Sequence, residues 1–101
     1  MQDNNRYLNL LRTTELAKRK GEPYVPFDGF ELEMFTKFAA LEHLPVLSDN
    51  GPDGWKLYAT VDADNFKDLV EKTKVYSKDF NKTFGIMVTS DRKAFLVFLK
   101  Q

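Results

Sequence analysis

One histidine, no cysteine and 15 carboxylates are what this chain offers for chemistry. His43 follows Glu42, and an imidazole beside a carboxylate is the beginning of a general acid–base pair. A nucleophile would still have to reach it, and the G-x-S-x-G turn that lifts a serine clear of its surroundings is absent. The position of His43 at the end of a helix-forming run explains it more simply. A cation there is favoured by the partial negative charge of the helix terminus.

The acids Asp62, Asp64 and Asp68, with Asn65 between, put clustered oxygens within reach of a hard cation. They also fall where a strand hands over to a helix, and Asp62 or Asp64 is expected as the helix cap. The loop Asp49-Asn50-Gly51-Pro52-Asp53-Gly54 misses the calcium-loop pattern, because glycine holds its third position and no glutamate follows at the required distance. Glu31 with Glu33, or Glu42 with a loop aspartate, has the makings of a carboxylate pair for cleaving a sugar bond. A chain of 101 residues has little room for both a core and a substrate cleft. None of the 5 glycines leads into the Lys-Ser/Thr pair of a phosphate-binding loop. The expectation is a protein without catalytic residues, metal or cofactor.

Binding is the remaining class. Residues 21–35, GEPYVPFDGFELEMF, bring aromatics, prolines and acids together. Large rigid side chains of this kind anchor protein interfaces, and Tyr24, Val25, Phe27, Glu33, Trp55 and Tyr58 are the expected protein-contacting residues. A second reading is a nucleic-acid contact. It would use Arg6, Arg12, Lys18, Arg19 and Lys20 on the first helix, Arg92 and Lys93 at a hairpin tip, the lysine-rich third helix with Lys67, Lys72, Lys74, Lys78 and Lys82, and Tyr58 as a ring on which a base stacks. Against it stand the interleaved acids Asp68, Glu71 and Asp79 and a formal net charge of zero.

That zero is unevenly laid out. Residues 1–20 hold five bases and two acids, residues 21–55 one base and seven acids, and residues 56–101 nine bases and six acids. Folding is expected to bring the acidic middle against the two basic ends, since mixed-sign surfaces are ordinary. The lack of cysteine fits a reducing compartment, and the N-terminus lacks a basic-then-apolar leader. No apolar run approaches the roughly 20 residues that span a bilayer. A soluble cytoplasmic protein with no membrane contact is expected.

The elements that must position these residues follow from pattern. A single α+β domain over residues 1–101 is expected, since 43% apolar residues suffice for a core without staples. The first helix is predicted over residues 5–20, with Tyr7, Leu8, Leu10, Leu11 and Thr14 on one side and Gly21 as its stop. Pro23 and Pro26 forbid a helix across residues 22–26. Asp28 as cap, Glu31 as its reciprocal partner and Phe27 stapled onto Leu32 predict a second helix over residues 29–43. The spread of Phe30, Met34, Phe35, Phe38 and Leu41 around it requires packing on two sides.

Residues 44–48 and 55–61 read as strands of a hairpin around Asn-Gly and Asp-Gly turn dipeptides, with Pro45 keeping the first at a sheet edge. In the second, Trp55, Leu57, Ala59 and Val61 alternate with polar neighbours and are expected on one buried face. Residues 64–78 form the third helix, with Phe66, Leu69, Val70 and Thr73 inward. Residues 83–89 and 93–99 make a second hairpin about Ser90-Asp91-Arg92. Because AFLVFL is apolar on both faces, the last strand is expected at the centre, covered on both sides. The predicted sheet has four mainly antiparallel strands in the order 44–48, 55–61, 93–99, 83–89. The third helix is expected on one face and the N-terminal helical pair on the other, covering all of it or only part, with any uncovered part serving as an interface. Size and class together suit an inhibitor or adaptor that covers a partner's surface, of the kind that viruses and mobile elements encode.

Overall fold

Two helices and a three-stranded antiparallel sheet make up the computed structural model, which describes residues 2–26, 40–48, 51–79 and 83–101. Helix α1 spans Gln2–Lys20, a 3-10 turn Ala40–His43, strand β1 Trp55–Asp62, helix α2 Phe66–Asp79, strand β2 Phe84–Val88 and strand β3 Ala94–Lys100. The second helix expected over residues 29–43, with its cap at Asp28, lies outside the described residues except for the 3-10 turn at its end.

Helix α1 stops where its chemistry says it should. Gly21 takes φ 68°, its N–H bonds the carbonyl of Lys18 at 3.2 Å, and the N–H of Glu22 bonds that of Ala17 at 3.0 Å. This paired closure satisfies carbonyls that the helix leaves open, and it needs a left-handed residue at its pivot. Leu10, Thr14 and Ala17 face inward. Leu8, expected with them, is 59% exposed, because it stands about 160° around the helix from Leu10 at 100° per residue. Helix α2 is capped by Asn65 rather than by Asp62 or Asp64: its Oδ1 accepts from the N–H of Asp68 at 3.2 Å. Leu69 and Thr73 are fully buried as the pattern required, and the Thr73 hydroxyl donates to the carbonyls of Leu69 and Val70.

The sheet order is β1-β3-β2, so β3 is central and antiparallel to both neighbours. Phe95 to Leu99 are all buried, which is the two-faced burial that its unbroken apolar run demands. One face joins Val61, Ile86, Val88, Phe95 and Val97 to residues of both helices. Phe66 of α2 meets Phe95 edge-on, ring centroids 5.9 Å apart at 70°. The other face gathers Met87, Leu96 and Phe98 with Leu47 and Trp55. Helices α1 and α2 therefore share a face, where opposite faces were expected.

The four-stranded sheet is the main correction. Residues 44–48 do not pair with β1. They form a single parallel bridge, Val46 to Val88, on the outer edge of β2. Since β1 and β2 both run against β3, a segment parallel to β2 is also parallel to β1, and a hairpin joins only antiparallel strands. Gly51 donates to Ser48 at 3.0 Å, and Gly51 and Gly54 both take positive φ.

Strand β1 holds a second correction. Its pairing with β3 slips at Tyr58: Leu57 stands opposite Phe98, yet Ala59 stands opposite Val97. One inserted residue reverses which face every earlier side chain occupies. Ala59 and Val61 keep the helix-covered face. Trp55 and Leu57, expected beside them, sit on the other.

Candidate interaction surface

The two edges of the sheet differ. On β2 the outward groups are engaged. Tyr24 and Ile86 exchange N–H···O bonds of 2.9 and 2.8 Å, Leu47 donates to the carbonyl of Val88 at 2.9 Å, and Val88 donates to that of Pro45 at 2.9 Å. Pro45 needs only its carbonyl there, so its missing N–H costs nothing. On β1 no described segment pairs with the outer edge. An open edge is a template for other strands unless something blunts it, and here the bulge at Tyr58 and the exposed Lys56 do so.

At the bulge two large side chains remain half in solvent, Leu57 at 48% and Tyr58 at 44% exposure. They are neighbours in sequence, with exposed Lys56 before them and half-buried Ala59, then exposed Thr60, after them. The extra residue is what brings them out. It places Leu57 on the Phe98 face near the sheet margin, and the register with β3 passes over Tyr58.

The other expected protein-contact residues divide. Tyr24 is 1% exposed and belongs to the main core, so its ring is no surface group. Val25 beside it is 39% exposed. Trp55 is half-buried and packs against Met87, Leu96 and Phe98. Phe27 and Glu33 lie outside the described residues. Strict alternation assigns Leu57 to the core, and no feature of the sequence marks the bulge.

The expected nucleic-acid residues divide as well. Arg12, Lys18, Arg19 and Lys20 are all exposed on α1, and the ammonium of Lys18 donates to the Glu42 carbonyl at 2.7 Å. Arg92 and Lys93 stand exposed at the β2–β3 turn. There the Asp91 carboxylate accepts from the Thr89 hydroxyl at 2.6 Å and from the N–H of Lys93 at 3.0 Å. The Thr89 hydroxyl first, then the Lys93 N–H, hold the Asp91 pKa below its ordinary value. The carbonyl of Lys93 accepts from Ala63, which sets Asp62 and Asp64 beside the tip. The tip is thus of mixed sign.

His43 lies half-buried on the 3-10 turn, directly before the fully buried Leu44. Among the described residues no group of three or more His, Cys, Asp or Glu side chains is arranged to hold a metal ion. Asp68, one of the clustered acids, is engaged by Lys72 of its own helix at 3.1 Å. Among the described residues no helix is long and apolar enough to cross a membrane. No family model matches the chain, and neither a curated protein nor a solved structure does.

Proposed function

We propose that this chain is a small non-catalytic binding protein of the inhibitor or adaptor type, which covers part of a protein partner through the β1 edge. The observation that carries the reading is the Leu57–Tyr58 pair, half-exposed at a bulge on the one sheet edge that no described segment closes. An apolar side chain next to an amphipathic aromatic, with a polar rim of Lys56 and Thr60, has the composition of an interface centre. The bulge makes side-chain docking, rather than simple strand addition, the mode of contact. A cysteine-free chain suits a partner in the reducing cytoplasm.

The test makes this edge photoreactive. A photo-crosslinking amino acid is introduced at position 57 or 58, and adducts are compared with those from position 75, also 47% exposed but on α2. Adducts to one protein from positions 57 and 58, lost from position 58 on Leu57→Asp, are expected. Equal adducts from position 75, or a partner that Leu57→Asp and Tyr58→Asp both retain, would sink the reading.

A further inference from the structure

The main-chain nitrogen that follows an aspartate can turn back onto the side-chain carboxyl and close an imide ring. A hydrogen bond that holds that N–H in the fold opposes the movement. Five aspartates have described side chains, Asp53, Asp62, Asp64, Asp68 and Asp91. At four of them the following nitrogen is held. The N–H of Ala63 donates to the Lys93 carbonyl at 2.9 Å, and that of Asn65 to the Asp62 carbonyl at 2.9 Å. The N–H of Leu69 donates to the Asn65 carbonyl at 3.3 Å, and that of Arg92 to the Thr89 carbonyl at 2.9 Å.

Asp53 differs. It and Gly54 are both exposed, and no described group accepts the Gly54 N–H. Gly54 takes φ 81°, so the turn that leads into β1 itself calls for glycine. A carbon added to Gly54 would meet no atom within 4 Å, so its surroundings do not crowd the nitrogen. The turn thus joins an exposed carboxyl to an open, unengaged nucleophile.

We propose that Asp53 is a modification site of the folded protein, where the Asp53–Gly54 linkage isomerises spontaneously to isoaspartate. The Gly54 nitrogen bonds to Cγ of Asp53, the bond from Cγ to its hydroxyl breaks, and the amide proton leaves with that hydroxyl as water. Water then opens the ring. Attack at Cγ restores aspartate, whereas attack at the main-chain carbonyl carbon breaks its bond to nitrogen and leaves the chain running through Cγ. Solvent water is the one co-reactant, and the product has the mass of the starting chain. The new linkage adds a backbone atom just before β1, beside the bond from the Gln101 N–H to the Gly54 carbonyl at 2.8 Å. This site is separate from the Leu57–Tyr58 contact, and either proposal stands without the other.

The full chain is aged at neutral pH and physiological temperature, folded in buffer and unfolded in urea. Isoaspartyl groups are labelled with isoaspartyl methyltransferase and a radioactive methyl donor, then located by electron-transfer mass spectrometry. Isoaspartate at position 53 is expected to build up as fast in the folded chain as in urea. Asp53→Glu, which would have to close a larger and slower ring, removes the signal there, and circular dichroism confirms its fold. Ala63→Gly places the same dipeptide at a held nitrogen, so Asp62 in that variant converts in urea but not in the folded chain. Asn50 lies outside the described residues, and conversion there releases ammonia and is told apart by its change in mass. Isoaspartate at position 53 that forms in urea but not in the folded chain overturns the proposal. So does conversion of Asp62 in folded Ala63→Gly as fast as that of Asp53.

Discussion

The indole of Trp55 stands 3.2 Å from the point where a side chain on Gly85 would begin, although their strands do not touch. The ring reaches from β1 across β3 to β2, on the face opposite the helices. Gly85 leaves the space that the ring and Pro23 occupy together. Pro23 is the less forgiving neighbour, since its Cβ is fixed to the backbone that leads into the Tyr24–Ile86 bridge. Gly85→Ala is therefore expected to lower stability by about 1–3 kcal/mol, the usual cost of overpacking, in a denaturant titration. A variant as stable as the original would mean that Pro23 and the indole do not crowd Gly85 as described.

The bulge at Tyr58 makes a separate forecast. Deleting Tyr58 restores an uninterrupted ladder with β3 and leaves Trp55 and Leu57 on their present face. The outer edge of β1 then becomes straighter and easier to pair. Sedimentation velocity should show stronger self-association for the deletion variant than for the unaltered chain. If association does not change, the bulge is not what keeps this edge single.

Two left-handed residues give opposite outcomes. A methyl group added at Gly21 would meet no atom within 4 Å, so Gly21→Ala encounters only backbone strain at φ 68°. It should cost about 1 kcal/mol. Arg92 takes φ 57° with a full side chain, and Arg92→Gly should raise stability by about 0.5–1 kcal/mol. Thermal melts of both variants check the pair. A stabilised Gly21→Ala or a destabilised Arg92→Gly would contradict the conformations described.

The β2–β3 turn should carry a small pH signature. The folded Asp91 pKa lies below the ordinary 3.8, so its bonds to Thr89 and Lys93 add stability above that value. That contribution is lost as pH falls through the folded pKa. Carboxyl chemical shifts followed through the acid range should place the Asp91 midpoint below 3.8, and Thr89→Val should move it upward. An unmoved midpoint would show that the hydroxyl does not hold the carboxylate.

What the residues announced in advance was the local chemistry. The glycine stop of α1, the inward side of α2 and the central place of β3 are each set by neighbours a few positions apart, or by apolar character on both faces. What they concealed were choices made between distant segments. Residues 44–48 look like a hairpin arm, and only the engaged groups of Val88 show where they go. Alternation from Trp55 to Val61 promised one buried face, yet a single extra residue moved Trp55 across the sheet. That slip is also what exposes Leu57, so this half of the candidate site was illegible for the same reason as the strand, whereas Tyr58 was expected at the surface from its place on the alternating row. Tyr24 shows the converse error. Flanking prolines and acids suggested a surface, but its backbone closes the edge of β2 and its ring fills the core.

The order of the strands has a consequence for birth on the ribosome. β3 is made after β1, α2 and β2, and among the described residues it alone supplies hydrogen bonds to both of the other strands. Until it emerges, the nascent chain holds two strands with no mutual ladder and an apolar set, Val61, Ile86 and Val88, awaiting a cover. The sheet must close late, in one step that joins segments far apart in sequence, a route that is intrinsically slow.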